Sequence, residues 1–319
     1  MTVRFNPLRV QCGSRIESMT EAQLRAFVAV AETGGFRAAT TRLHMTQPGV
    51  SRAVRALEDE LGTELLHRRR GRVALTAFGE RALARSRALL REAEAMRQER
   101  DELTGVATGH VRLGSMPSVS STILPPLLAA LEHRHPALSV TVLEGHDDEL
   151  VKWVGEGIVE IAVVAGDHDQ LVLQPLVTDE LLAVLPAAHP LATRQTVRPR
   201  DLAAEPFILT RAGCERLVLG ALAMQGVTPN VRYEVSEASS ILALVGEGLG
   251  VSVMPGLAAH RPPREVVLRP LNPRTERRLS LAILASASPS PAVRAFLASA
   301  GIGCKANGQQ DLSGASLDV

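Results

Sequence analysis

Between Phe36 and Gly62 the chain carries a turn, a cap and an apolar spacing that agree on one local fold. Phe36, Ala38, Ala39 and Leu43 fit a short helix, and His44-Met45 leaves room only for a tight connection. Thr46 then stands where an N-cap hydroxyl belongs. Pro48 falls in the first turn of the next helix, where its missing N–H removes nothing. Val50, Val54, Leu57 and Leu61 form that helix's apolar face, and Gly62 ends it. Upstream, Thr20-Glu21 opens a helix carrying Leu24, Phe27, Val28 and Ala31, which Gly34-Gly35 stops. Downstream, Leu65-Leu66 and Val73–Leu75 read as two short strands around a basic tip. Two helices joined by a tight turn, the second capped, followed by a basic hairpin, predict a mainly α winged helix-turn-helix over residues 19–76.

The chemistry of that unit points to double-stranded DNA. Net charge over the chain is only +1, so composition alone announces no nucleic-acid binder. Within 19–76, however, nine arginines face six carboxylates. Gln47, Ser51, Arg52 and Arg55 lie opposite the apolar face of the capped helix. Gln pairs with adenine and Arg with guanine through two hydrogen bonds each in the major groove. Thr46, Ser51 and the helix N-terminus suit phosphate. Arg68, Arg70 and Arg72 would reach backbone or minor groove from the tip. Arg37 on the preceding helix completes the candidate set.

Residues 77–104 contain no proline, and Ala82, Leu89, Met96 and Leu103 recur every seventh position among charges. This predicts a long linker helix that pairs with a second copy of the chain. Gly105 and Thr108-Gly109 mark a linker. Beyond it, strand candidates at 111–113, 140–143, 161–164, 181–185, 207–209, 231–235, 251–254 and 279–284 alternate with helices at 121–134, 148–155, 215–225 and 239–247. Such alternation predicts an α/β domain with largely parallel sheets over 105–303. With aromatics at 3%, its core is built from Leu, Val, Ile and Ala. Residues 1–18 are read as a disordered extension or the product of a start codon placed too early, and 304–319 as a disordered tail.

The reading unit closely resembles the LysR-type transcriptional regulators. The match runs through Phe27-x-x-Val30-Ala31, Gly35-Phe36-x-Ala38-Ala39-x-x-x-Leu43 and Thr46-Gln47-Pro48-x-Val50-Ser51-Arg52-x-Val54-x-x-Leu57-Glu58. It continues over Leu61-Gly62, Leu65-Leu66-x-Arg68, Arg72, Leu75-Thr76 and Gly79. Gly35 and Leu66 depart from the usual Ser and Phe. The resemblance implies that Gln47, Pro48, Ser51 and Arg52 contact DNA. It also implies a homotetramer and a periplasmic-binding-protein-like C-terminal domain of two lobes. Lobe I would hold about 109–178 and 279–303, and lobe II about 179–270, with an unidentified small-molecule effector between them. Segments 182–191 and 246–255 match the family's pattern. By resemblance Ser118 is the effector-anchoring hydroxyl, and Asp147 stands where the family usually has Ser or Thr. An ionised Asp147 would repel a carboxylate effector, and a helix-capping Asp147 would have no such role. Ser115, Thr210, Arg211 and Ser239 are further cleft candidates, though Arg211 reads first as a solvated loop charge.

Other classes fit less well. No G-x-S-x-G, H-E-x-x-H or phosphate-loop pattern supports an enzyme, and Gly246-x-Gly248-x-Gly250 has the wrong spacing for a dinucleotide site. Cys12, Cys214 and Cys304 show no metal-ligand spacing, so no metal or other cofactor is expected. A redox role for Cys214 and Cys304 is a minor variant. No apolar run reaches membrane length and no signal core precedes Met19, so a cytoplasmic protein without membrane attachment is expected. RNA polymerase is a candidate further partner.

Overall fold

The computed structural model describes residues 19–69, 72–103 and 108–301. The expectations for 1–18, Cys12, Arg70, Gly105, Cys304 and the tail from 304 lie outside the described residues. The chain divides into two compact units that meet at Glu94/Ala95.

In the first unit, α1 (Glu21–Thr33) begins at a reciprocal cap. Gln23 N donates to Thr20 Oγ1 at 3.3 Å, and Thr20 N donates to Gln23 Oε1 at 2.6 Å. Helix α2 (Phe36–Leu43) ends at His44, which takes the left-handed conformation at φ 51°. In α3 (Gln47–Leu61), Gly49 N donates to Thr46 Oγ1 at 3.3 Å, and Pro48 occupies the first turn. Strands β1 (Leu66–Arg69) and β2 (Arg72–Leu75) pair antiparallel, Leu66 opposite Leu75 and Arg69 opposite Arg72. One apolar core unites Phe27 and Val30 of α1, Ala39 of α2, and Val50, Val54 and Leu57 of α3 with Leu65, Leu66 and Leu83. Burial of each larger side chain contributes about 1.5–3 kcal/mol.

Helix α4 (Ala77–Glu102) contributes residues to both units. In the first, Arg87 Nε donates to Glu32 at 3.1 Å, and Arg42 of α2 binds the same carboxylate. In the second, Gln98 is buried and its Oε1 accepts from Ala292 N at 3.4 Å. Along α4, Leu89, Met96 and Leu103 are 48%, 71% and 89% exposed. Three members of the seven-residue stripe are therefore left to water within the chain.

The second unit contains two lobes with separate cores. Lobe I comprises β3 (Gly109–Ser115), α5 (Pro117–Ser120), α6 (Leu124–Arg134), β4 (Leu138–Glu144), α7 (Asp147–Gly155) and β5 (Ile161–Ala165). It also takes the first part of β6 (Leu171–Pro186). In lobe II follow β7 (Pro206–Thr210), α8 (Glu215–Ala223), β8 (Asn230–Val235), α9 (Ala238–Gly246), β9 (Ser252–Pro255) and β10 (Val266–Pro270). The chain then returns to lobe I as β11 (Glu276–Leu284) and α10 (Pro291–Ser299). Lobe I's core draws on residues from Val111 to Leu171 and from Leu279 to Leu297. In lobe II, Leu181, Ala183 and Leu185 of β6 face one core, which includes Phe207 and Val218, while Val184 faces another with Ile208 and Ile241. The period-2 alternation thus buries both faces of this sheet.

The sheets are mixed rather than largely parallel. Strands β3–β4, β3–β5 and β7–β8 pair parallel, whereas β11 with β5 and β6, and β6 with β9 and β10, pair antiparallel. The reason is topological: β6 and β11 run between the lobes in opposite directions. The strand expected at 181–185 is the end of the longer β6, which crosses from one lobe to the other. The helix expected at 121–134 begins later, as α6 at Leu124, and the short α5 precedes it. Strand β10 and helix α10 were not expected.

Candidate DNA interface and effector cleft

Helix α3 keeps Val50 and Val54 wholly buried, and the same 3.6-residue period turns Gln47, Pro48, Arg52 and Arg55 outward. Thr46 is exposed at the helix start and Ser51 is partly exposed beside Arg52. Arg37 is exposed on α2. None of the described ion pairs uses Arg37, Arg52 or Arg55. Their guanidinium donors therefore remain available to an external acceptor. For Arg68, Arg69 and Arg72 the backbone is described, and it places them on the two strands of the hairpin. A hollow of about 820 Å³ lies between the end of α3 and β1, lined by Arg55, Glu58, Asp59, Glu64, Leu66 and His67 among others. Half of its lining residues are charged, unlike the apolar lining usual for small-molecule sites.

In the second unit the chemistry gathers around Arg277 of β11. Its Nε donates to Asp179 Oδ2 of β6 at 2.9 Å, Nη2 lies 2.8 Å from the same oxygen as an ion pair, and both side chains are buried. Nη2 also donates to Ser118 Oγ on α5 at 3.2 Å. Asp179 Oδ1 accepts from Leu257 N at 3.1 Å. Arg277 interacts electrostatically with both Asp147 and Cys214. The Cys214 thiol in turn lies 3.7 Å from Thr210 Oγ1. The two lobes meet here: a Cβ placed on Gly213 would fall 2.7 Å from His146 Nδ1.

Asp147 is the first residue of α7, and His146 occupies the cap position. The expected start at Asp148 is thus one residue late. Asp147 does not spend its carboxylate on a cap: Oδ1 accepts from Ala165 N at the end of β5, at 2.8 Å. Burial pushes the Asp147 carboxyl above its ordinary range, opposed by the Ala165 amide, His168 and Arg277. Burial likewise pushes the Cys214 thiol up.

The structure therefore brings Ser118 into contact with Arg277, while Asp147 and Cys214 feel its charge and Thr210 lies against Cys214. Ser115 is fully buried and donates to the Met116 carbonyl at 3.2 Å. Arg211 is exposed and pairs with Glu234 of β8 at 3.5 Å, as a solvated loop charge would. Ser239 is exposed in the first turn of α9. Sequence reasoning missed Arg277, Asp179 and His168. The available signal was weak: Asp179 and Glu180 interrupt an apolar run, and Arg277 lies in a charged stretch, 274–278, just before one.

A capped reading helix with outward arginines, followed by a two-lobed α/β domain, defines a DNA-binding regulator with a small-molecule-sensing half. Residues 22–80 match the bacterial regulatory helix-turn-helix protein, lysR family, and residues 104–301 match the LysR substrate binding domain. Similar proteins include the probable transcriptional regulator LrrA of Synechococcus elongatus, 36% identical over 88% of this chain and 95% of its own. A probable hydrogen peroxide-inducible genes activator of Streptomyces viridosporus is 33% identical over 84% of this chain and 88% of its own. Among solved structures, a cysteine variant of full-length OxyR from Pseudomonas aeruginosa superposes with a TM-score of 0.70 at 25% identity, covering 88% of this chain and 97% of that one. The regulator CbnR shares the fold, with a TM-score of 0.61 at 24% identity over 88% and 98% of the two chains. The chain belongs to the LysR family of DNA-binding transcriptional regulators.

Proposed function

We propose that this regulator reads promoter DNA through α3 and the wing, and that a small molecule bound between its lobes changes that reading. The single observation behind the first half is the outward face of α3, whose exposed Arg52 and Arg55 enter no described ion pair, opposite wholly buried Val50 and Val54. Gln47, Pro48 and Arg52 contact base edges, Thr46 and Ser51 contact phosphate, and Arg37, Arg68, Arg70 and Arg72 contact backbone. The exposed Leu89–Met96–Leu103 stripe of α4 pairs with a second copy, and dimers assemble into tetramers.

In the cleft, Ser118, Asp147 and Thr210 face the effector. Arg277 is already neutralised by Asp179, so a carboxylate effector finds no uncompensated cation there. A ligand that donates a hydrogen bond or carries positive charge suits Asp147 better. Closure bends the chain near 175–180 and 270–280 and changes how subunits pack, hence the spacing of the reading heads on the duplex. RNA polymerase then meets a differently bent promoter. This reading places the protein in the cytoplasm, gives it no catalytic step, and invokes no cofactor. No described helix is long and apolar enough to cross a membrane.

The test is a gel shift on the DNA upstream of the protein's own gene, wild type against Arg52→Ala. A specific complex weakened by the substitution supports the assignment. Failure of wild type to bind several divergent-promoter fragments at low salt removes it. A thiol response to peroxide, suggested by the names of some relatives, is the second reading. Against it, burial favours the protonated Cys214 thiol, whereas the thiolate is the nucleophile. Peroxide treatment is expected to leave Cys214 unmodified by mass spectrometry, and a sulfenic adduct there would reverse this preference.

A further inference from the structure

A two-stranded hairpin with strands of four residues has little stability of its own. What orients its basic tip must lie at its root, Leu65–Leu66, whose side chains are buried in the core of the unit. Two sets of contacts hold that root. From α3, Glu58 Oε1 accepts from Leu65 N at 2.9 Å and from Leu66 N at 3.2 Å. From the start of α4, Thr76 N donates to Leu65 O at 3.0 Å and Thr76 Oγ1 donates to Glu64 O at 2.9 Å. Gly79 N completes the arrangement by donating to Thr76 Oγ1 at 2.8 Å. The approach is close enough that a Cβ on Gly79 would lie 2.1 Å from Leu65 O. The α4 contacts fix the strand's far side, and among the described side-chain hydrogen bonds Glu58 ties it to the helix that carries Arg52 and Arg55, beside the apolar contact of Leu65 and Leu66 with Leu57.

Glu58 follows Arg55 by three residues on that helix. Its carboxylate acts on its own hairpin and not on nucleic acid, which it would repel. Hydrogen bonds from two successive backbone amides to one carboxylate oxygen are charge-assisted and directional. They fix the hairpin's exit angle relative to the reading face.

We propose that Glu58 is a positioning residue that fixes the exit of β1 relative to the α3 face, so that wing and helix engage one duplex at once. This rests on the reading of the wing as a DNA contact, and the experiment separates the two. Binding of the full-length protein to its upstream DNA is measured against salt concentration, where each phosphate contact steepens the log–log slope by about 0.9. Three proteins are compared with wild type: Arg68→Ala, Arg70→Ala and Arg72→Ala together; Glu58→Asp; and Glu58→Gln. The aspartate keeps the charge but is one methylene too short to reach both amides. The glutamine loses the charge but keeps the accepting oxygen.

The triple variant is expected to flatten the slope by up to about 2.7. Glu58→Asp is expected to flatten it toward that value, with affinity at moderate salt falling about tenfold, which corresponds to the loss of one to two phosphate contacts. Glu58→Gln is expected to keep the wild-type slope. A merely structural residue would move the melting temperature of both Glu58 variants and leave the slope alone. A wild-type slope in Glu58→Asp, with a flattened one in the triple variant, overturns the proposal and spares the wing reading. Equal flattening by both Glu58 variants also overturns it. A wild-type slope in the triple variant removes the wing contact itself, and the proposal with it. If Glu58→Asp does not fold, a folded Glu58→Gln carries the test, because a flattened slope there is disallowed.

Discussion

Arg52 and Arg277 carry the same guanidinium in opposite circumstances. Arg52 is exposed on α3 and belongs to no described ion pair. Arg277 is buried, with donors committed to Asp179 and Ser118. An exposed arginine keeps its donors hydrated until a partner arrives, so its energy appears as binding. A buried, paired arginine has already spent its donors, so its energy appears as shape. The reading unit therefore recognises with its charges, and the cleft is built with them.

Breaking the buried side of that contrast should produce the largest effect. Asp179→Ala leaves Arg277 buried without its carboxylate and should destabilise the effector unit by about 3–5 kcal/mol, seen as a lower urea midpoint. Replacing both partners, Asp179→Leu with Arg277→Met, should recover most of that loss. An unchanged midpoint in the single variant would show that the pair does not carry the hinge region.

On the exposed side the same experiment should be silent. Arg52→Ala should cost about 1–3 kcal/mol of specific DNA affinity in a gel shift. It should move the urea midpoint by less than about 0.5 kcal/mol equivalent, because surface substitutions seldom do more. A large stability change would mean that Arg52 is structural after all.

Asp147 lies between the extremes, and pH sharpens its place. Burial raises its folded pKa above the ordinary 3.8. Its contribution to stability is then full below the unfolded value and lost as pH rises through the raised folded value. Asp147→Asn should therefore flatten this fall and be relatively more stable than wild type at neutral pH, in melts run from pH 3 to 8. A wild-type and variant difference that stays constant across that range would contradict the burial. The smallest effect is expected at Arg211, half exposed and paired with half-exposed Glu234: Arg211→Ala should change stability by no more than about 0.5 kcal/mol.

The reading unit was legible because its determinants are local. Thr46 meets Gly49 three residues on, and Thr20 meets Gln23 at the same separation. The cleft was not, because Arg277 and Asp179 are 98 residues apart and meet only through the register of β6 on β11. One charged position beside an apolar run does not announce its partner. Asp147 was singled out from sequence, but its bond to Ala165 N depends on where β5 ends in space. Helix α10 is the reverse case, for its signature was present: Ser290 accepts from Val293 N and Pro291 fills the first turn, as Thr46 and Pro48 do in α3.

Strand β6 belongs to both lobes, and its crossing point has a defect. Leu279 faces Val177 and Ser280 faces Pro175, so Leu176 has no opposite number. Proline cannot donate to the ladder, and a bulge there loosens the ribbon. Arg277 and Asp179 are opposite numbers just beyond it, so the ion pair rides within the ribbon instead of bridging the gap. Ser118 grips this pair from lobe I, and Leu257 N grips it from the turn after β9. Mechanically this is an axle with two light bearings. Swinging the lobes would strain the Ser118 and Leu257 hydrogen bonds, about 1.5–3 kcal/mol apiece, while the axle stays whole. A small ligand can supply that much energy, so the open and closed shapes remain within reach of a single binding event.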